Sequence, residues 1–139
     1  MIPKFRVWDK EADTMHDVTS IWFDRNNEQY KLGHVSFPSQ ETVDTIFDNF
    51  ELMQSTGLKD KNGVEIFEGD IVKIFVSNGF DYLDGDLSIV KKSEYHSGLI
   101  CELLSNTLEY RIFDEEATGY QYEVVGNIYK DKELLEVEG

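Results

Sequence analysis

Apolar and polar residues alternate along much of this 139-residue chain, in short runs separated by polar turns. Alternation with a period of two predicts half-buried β-strands. Many short strands at this spacing are typical of antiparallel all-β domains. The sequence therefore predicts a mainly β fold, a small barrel or sandwich, with strands near 5–8, 15–23, 30–37, 71–76, 87–90, 99–104, 108–113 and 120–125.

Three segments depart from this alternation. Between residues 39 and 50 the apolar residues recur at helical spacing, which predicts a short helix or a covering loop. Residues 77–86 are rich in Gly and Asp and predict an exposed loop. Near the C-terminus, Asp131 precedes Leu134 and Leu135, a pattern that predicts a short helical turn capped by Asp131.

The clearest local signal is an Asn-Gly pair that ends at Gly63 and lies between two apolar runs. A two-residue loop would place Lys59 opposite Ile66. The alternative is a type I turn that begins at Asp60 and holds Gly63 in the left-handed conformation. This second register pairs Leu58 with Ile66, apolar with apolar, and is therefore the prediction.

Charge excludes one class of function. The chain has 28 Asp and Glu residues against 13 Lys and Arg, a net charge of −15. Binding to DNA or RNA through phosphate contacts requires clustered Lys and Arg, so no direct nucleic-acid binding is expected. The acidic surface leaves open a nucleic-acid mimic that occupies a basic groove on a protein.

Other sequence features point to the cytoplasm. The chain has no apolar run long enough to cross a bilayer and no secretory signal, so neither membrane insertion nor export is expected. The single cysteine, Cys101, excludes an internal disulfide and fits a reducing compartment.

Candidate chemistry is sparse. Cys101 lies in an apolar stretch without a neighbouring cation, which favours a structural thiol over a nucleophile. Asp81, Asp84 and Asp86 are weak suspects for a metal site, because their spacing around Gly85 does not match a calcium loop. The sequence predicts no catalytic residue, metal or cofactor.

The histidines and the search for catalytic and phosphate-binding motifs supply no further candidate site. His16, His34 and His96 are scattered and are expected at the surface. No nucleophile elbow or phosphate-binding glycine loop is present. An enzyme whose catalytic residues converge from distant positions stays an alternative.

Three pieces of the sequence together resemble one family. The opening KFRVWDKE, the central LMQSTGLKDKNGVEIFEGDIVKI and the closing EVVGNIYKDKELLE resemble the YopX family of bacteriophage and prophage proteins. The resemblance implies a small, mostly β protein, and it covers nearly the whole chain, which predicts a single domain over residues 1–139. The strand pattern divides this domain into an N-terminal meander at about 1–50 and a barrel-like part at about 51–139. The resemblance also implies a phage accessory protein in the bacterial cytoplasm, and it transfers no activity to any residue of this chain.

The central segment supplies the remaining candidates. Gly57, Gly63 and Gly69 are predicted turn glycines. Six polar residues near these turns either cap them or contact a partner: Gln54, Thr56, Lys59, Asp60, Glu68 and Asp70. The expected function is a non-catalytic protein–protein binding module with an unidentified protein partner. A homo-oligomer, an acidic mimic and an enzyme stay open as alternatives.

Overall fold

A computed structural model describes residues 4–36, 40–45, 50–77, 82–93, 98–106, 108–111 and 120–137. Within these ranges the chain is mostly β-strand, and every strand pairing is antiparallel. No pairing among the described strands closes a sheet into a barrel. In these ranges, no helix is long and apolar enough to cross a membrane. The chain divides into two compact units, Met1–Gln54 and Ser55–Gly139.

Unit 1 is an antiparallel sheet in the strand order β4-β3-β2-β1-β5. Polar side chains fix its first two turns: Asp9 Oδ1 accepts from the Ala12 N–H at 3.1 Å, and Asp24 Oδ1 accepts from the Asn26 N–H at 3.0 Å. Its strands are β1 (Phe5–Asp9), β2 (Thr14–Asp24), β3 (Gln29–Ser36), β4 (Gln40–Thr45) and the first half of β5 (Phe50–Lys59).

Strand β4 corrects the prediction for residues 39–50. A helix or loop was expected there, but Gln40–Thr45 forms a strand that pairs with β3 along its whole length. Two effects explain the difference. The segment contains the β-branched residues Thr42, Val43 and Thr45, which favour strands, and β3 offers an edge of unpaired backbone groups. Of the helically spaced apolar residues, Val43 lies in β4 and Phe50 begins β5, and Ile46 and Phe47 lie outside the described residues.

Unit 2 contains a second sheet in the order β10-β9-β8-β7-β11. Its elements are the second half of β5, β6 (Glu65–Phe67), β7 (Asp70–Ser77), β8 (Tyr82–Lys92), β9 (Leu99–Leu103), β10 (Glu109–Arg111), β11 (Gln121–Asn127) and the helix α1 (Lys132–Val137). The short C-terminal helix was predicted. The carboxylate of Asp131, however, accepts from the Asn127 N–H at 3.0 Å, back toward β11.

The core of unit 2 contains one buried thiol. Ser88 and Cys101 are both fully buried, and burial raises the pKa of the Cys101 thiol to about 12, even though a hydrogen bond with Ser88 acts to lower it. The cluster around them consists of Ile66, Val72, Ile74, Val90, Leu103 and Tyr122.

Strand β8 corrects the prediction of an exposed loop over residues 77–86. The strand begins at Tyr82, and residues 78–81 lie outside the described part of the chain. The register against β7 shifts between Ile74 and Phe75, opposite Gly85, which has a φ of 85°. The Gly and Asp content therefore marks a bulge inside a strand.

The turn of the β5–β6 hairpin has the predicted geometry. The Gly63 N–H donates to the Asp60 carbonyl at 3.0 Å, and the Asp60 N–H donates to the Val64 carbonyl at 2.7 Å. Gly63 has a φ of 84°, in the left-handed region. Lys59 pairs with Glu65, which excludes the two-residue loop. The predicted pair of Leu58 with Ile66 falls in the stretch where the ladder changes register and is not one of its regular pairs. The shift lies between Ser55 and Lys59.

The carboxylate of Asp60 joins this hairpin to β11. Asp60 Oδ1 accepts from the N–H groups of Asn62 at 2.8 Å and Val64 at 2.9 Å. Its Oδ2 accepts from the Val124 N–H at 2.9 Å, and the Lys61 N–H donates to the Tyr122 carbonyl at 2.9 Å. Strand β11 pairs with β7 on its other side. The hairpin loop therefore covers the outer edge of β11 and occupies backbone groups that would otherwise template another strand.

Ionisation of Asp60 is part of this connection. Asp60 is only 6% exposed, and desolvation acts to raise the pKa of its carboxyl group. The backbone N–H groups of Val124, Val64 and Asn62, with the nearby Lys61 ammonium, outweigh that effect and lower the pKa below its ordinary value. The charged form is the one that the fold stabilises.

We expect Asp60→Asn to destabilise unit 2 by about 1–3 kcal/mol at pH 7, because the NH2 group that replaces one carboxylate oxygen is a donor and cannot accept a backbone N–H. The folded pKa of Asp60 lies below its unfolded value of about 4, so its contribution is present above that value and is lost as pH falls through the folded pKa. The difference in unfolding free energy between wild type and variant should therefore become smaller below pH 4. Urea unfolding at a series of pH values measures this, with the exposed Asp17→Asn as the control. A gap that is constant with pH would contradict the assignment.

Gly63→Val should lower the unfolding free energy by about 1–3 kcal/mol, because a β-branched residue resists positive φ. A Cβ at Gly63 would meet nothing within 4 Å. The loss of unfolding free energy would therefore come from backbone strain, since the added side chain begins in open space. The matched variant Gly63→Asn should lose much less, because Asn tolerates the left-handed region. Equal denaturation midpoints for the two variants would show that φ is not the cause.

The Cys101 thiol should resist modification in the folded protein. Burial and a pKa of about 12 leave almost no accessible thiolate at pH 8. A disulfide reagent should therefore react slowly in buffer and rapidly, with one equivalent, in denaturant. The single cysteine makes the count unambiguous. Fast stoichiometric labelling of the native protein would contradict the buried position.

Candidate functional site

Three of the six polar candidates from the central segment hold backbone groups of the fold. Thr56 Oγ1 donates to the Ile66 carbonyl at 2.7 Å, and Asp60 accepts the three N–H groups described above. Asp70, 2% exposed, accepts from the Phe67 N–H at 2.8 Å through Oδ2 and closes the turn before β7. The structure thus gives these side chains a capping role in the hairpin and the turn after it.

The other three candidates are more exposed than Asp60 and Asp70. Gln54 and Glu68 are half-buried, and Lys59 is exposed at the end of β5. The three predicted turn glycines all have positive φ: Gly57 at 82°, Gly63 at 84° and Gly69 at 88°. Gly57 lies inside β5 at the register shift, whereas the other two lie in turns. A partner-contact role for the six polar residues stays a prediction.

Acidic residues suspected of metal binding lie on β8. Asp84 and Asp86 flank the bulge at Gly85, and the Asp84 N–H donates to Asp86 Oδ1 at 3.2 Å. Asp81 lies outside the described residues. In the ranges that the structure describes, no group of three or more His, Cys, Asp or Glu side chains could hold a metal ion.

Two of the three histidines are close together, which corrects the expectation that each lies alone at the surface. The rings of His16 and His34 are 4.7 Å apart, and His34 is only 3% exposed. His16 Nδ1 lies 2.7 Å from the Val35 carbonyl oxygen and Nε2 lies 2.7 Å from Thr14 Oγ1. The bulge in β2 places both histidines on one face of the sheet, a consequence that spacing alone does not reveal. His96 lies outside the described residues.

The most unusual surface lies at the outer end of the β2–β3 hairpin. Four large apolar residues are exposed there: Ile21 by 38%, Trp22 by 40%, Phe23 by 48% and Tyr30 by 51%. We call these four residues the hairpin patch. Phe23 pairs with Tyr30 across the strands, with ring centroids 5.1 Å apart. Alternation places Trp22 on the opposite face from the other three, so the hairpin is apolar on both sides.

The length of β1 explains why these residues are exposed. Strand β1 has five residues and β2 has eleven. Of the residues of β2, only positions 14–17 pair with β1. Beyond that point, the described part of β2 pairs only with β3. The outer half of β2, with β3 and β4, therefore extends as an arm past the end of β1, whereas Val7 and Trp8 within β1 are buried.

Polar contacts fix the turn at the end of this arm. The two oxygens of Asp24 accept from the Asn26 N–H at 3.0 Å and from Asn27 Nδ2 at 2.9 Å, and Lys31 Nζ lies 3.4 Å from Oδ2. Desolvation acts to raise the pKa of Asp24, but these interactions lower it overall. Asp24 therefore holds the turn that joins the two strands of the hairpin patch, and its charge is paired with that of Lys31.

The segment that carries the hairpin patch is only weakly acidic. Residues 4–36 contain six Asp and Glu residues and five Lys and Arg residues, a net charge of −1. The rest of the chain has 22 acidic and 8 basic residues and carries −14. Exposed aromatic side chains in a nearly neutral region can approach another surface without a large desolvation cost for charge.

Sequence reasoning missed the hairpin patch, although a signal was present. Ile21, Trp22 and Phe23 are consecutive apolar residues in a strand that ends at a polar turn. A strand buried on one face alternates, so such a run requires cover on both faces or marks a contact surface. The length of β1 decides between the two, and no local pattern encodes it.

Comparisons with known proteins identify the family. A model described as YopX protein matches residues 4–136. The crystal structure of protein EF1440 from Enterococcus faecalis is similar, with a TM-score of 0.61 and 28% sequence identity, over 97% of this chain and 99% of that chain. No curated protein matches significantly. The match covers nearly the whole sequence, so this chain belongs to the YopX family.

Proposed function

We propose that this YopX protein is a non-catalytic protein–protein binding module whose contact surface is the hairpin patch. One observation carries the proposal: three consecutive apolar residues of β2, with Tyr30 beside them, are exposed on both faces of an ordered arm. Large exposed apolar groups that lie together on a soluble domain typically mark interaction sites. Scattered single residues would not support the same conclusion.

The chemistry of the patch fits a binding centre. Trp and Tyr are enriched among residues that dominate binding energy, because each buries a large rigid surface and keeps a polar group for hydrogen bonding. Truncation of such an anchor costs about 2 kcal/mol or more in typical interfaces. The arm presents Trp22 on one face and Phe23 with Tyr30 on the other, so a partner that enclosed the hairpin would contact all three.

Two features support a role without catalysis. Cys101, the one thiol of the chain, is buried, and its raised pKa keeps it protonated. The hydroxyl and carboxylate groups of Thr56, Asp60 and Asp70 are engaged by backbone partners. The resemblance to bacteriophage and prophage proteins suggests the setting: a bacterial cytoplasm, with a partner encoded by phage or host.

An acidic nucleic-acid mimic is the second candidate, and the charge of −14 outside residues 4–36 favours it. The two functions use different surfaces. A module that binds through the hairpin patch loses its partner when the aromatic residues are removed and is indifferent to DNA. A mimic keeps its partner in that variant and releases it when DNA or salt is added.

Trp22→Ser combined with Phe23→Ser should reduce retention of the partner from a bacterial lysate at least tenfold, measured by quantitative mass spectrometry on immobilised protein. Matched controls are Tyr82→Ser and Leu108→Ser, which remove residues exposed by 73% and 53% in unit 2 and should change nothing. Circular dichroism should confirm that every variant is folded. Identical retention by wild type and the double variant would overturn the proposal, and release by DNA would favour the mimic.

A further inference from the structure

We propose that the outer edge of β2, from Ser20 to Asp24, is a strand-addition site, to which an extended segment of the partner binds by backbone pairing. The inference rests on the proposed function and adds the binding mode and the chemistry of the partner at the hairpin patch. It starts from the backbone. These five residues pair with β3 on one side, and in the described part of the chain no strand pairs with them on the other.

The end of β1 leaves this edge open. The ladder between β1 and β2 stops at Arg6, opposite Asp17, and in the described pairings Phe5 is in register with Gln54 of β5 but with no residue of β2. In an antiparallel ladder, alternate residues direct their N–H and C=O groups to opposite sides of the strand. Every second residue from Ser20 to Asp24 therefore directs both groups away from β3. Such backbone groups are a template for a strand of another chain.

The sequence of this edge lacks the features that prevent strand addition. Edge strands are commonly protected by Lys or Pro, by short length or by cover from another element. Residues 20–23 are Ser, Ile, Trp and Phe, without charge or proline, and the register shift between Val18 and Ser20 comes before Ile21. By contrast, the turn at Asp60 covers the outer edge of β11, and β6 and β10 have three residues each. An uncharged apolar edge favours association, so its presence on β2 indicates a binding role.

The side chains of the hairpin patch specify the partner segment. An added strand alternates its side chains between the two faces of the sheet. Trp22 is exposed on one face, and Ile21 and Phe23, with Tyr30, are exposed on the other, so three consecutive positions of the partner meet apolar groups. Aromatic and β-branched residues form favourable cross-strand pairs with such groups. The partner segment is therefore an extended, uncharged run of these residue types without proline, which cannot donate to the ladder.

A different chain suits this edge better than a second copy. Two β2 edges could pair with each other, but each copy carries a net charge of −15. Charges of the same sign repel, and the repulsion is strongest at low salt. A short segment of another protein forms the same backbone pairs without that repulsion.

Amide hydrogen exchange followed by NMR tests the open edge in the free protein. Between Ser20 and Asp24, the N–H groups of every second residue should exchange at least tenfold faster than the others, because only the others are bonded to β3. Slow exchange at all five positions would overturn the open edge.

An array of random peptides of about ten residues, with no net charge, tests strand addition without knowledge of the partner. The bound set should be enriched in consecutive aromatic or β-branched residues and depleted in proline. The best binder should protect the fast amides between Ser20 and Asp24. N-methylation of every second residue of that peptide should weaken binding at least tenfold, and N-methylation of the intervening residues should weaken it much less. Trp22→Ser with Phe23→Ser should lose this binding, whereas the control Tyr82→Ser should keep it.

Several outcomes would overturn the inference: no enriched set, N-methylation effects without a period of two, or fast amides that stay unprotected when the peptide binds. Dimerisation by sedimentation that Trp22→Ser abolishes would assign the edge to a second copy and reject the partner proposed here. The two proposals fail separately. A lysate partner that the double variant loses, and that binds without protecting alternate amides of β2, would keep the binding module and reject strand addition.

Discussion

The carboxylate of Asp60 is the constraint on which the structure of unit 2 depends. It satisfies two N–H groups of its own turn and one of β11, a residue 64 positions later in the chain. A local turn thereby becomes a long-range connection, and the outer edge of β11 is occupied at the same time. Removal of one acceptor would leave buried N–H groups unpaired, which is why a single side chain matters to two elements.

The sequence predicted structure best where the information is local. The Asp60–Gly63 turn and the C-terminal helix follow from neighbouring residues, and the antiparallel strands follow from alternation. Strand β4 was missed because its partner is β3, whose free edge no local pattern shows. The bulge at Gly85 was read as a loop, because Gly and Asp favour both.

The candidate site was harder to predict for the same reason. Exposure of Trp22 and Phe23 depends on where β1 ends, because β1 pairs with positions 14–17 of β2 and stops short of these two residues. The central segment, in contrast, attracted attention because of its turn glycines and polar residues. In the structure Thr56, Asp60 and Asp70 hold backbone groups of the fold, so part of the composition of this segment has a structural reason.

The two tryptophans of the chain both lie in unit 1, Trp8 buried at 4% exposure and Trp22 exposed by 40%. Their indole environments differ, so intrinsic fluorescence contains a short-wavelength emitter in the sheet and a long-wavelength emitter on the arm. Unit 2 contributes tyrosine emission alone. A water-soluble quencher therefore reduces the emission of Trp22 and leaves that of Trp8 almost unchanged. Protection of Trp22 from the quencher would report that the arm is covered, without any attached label.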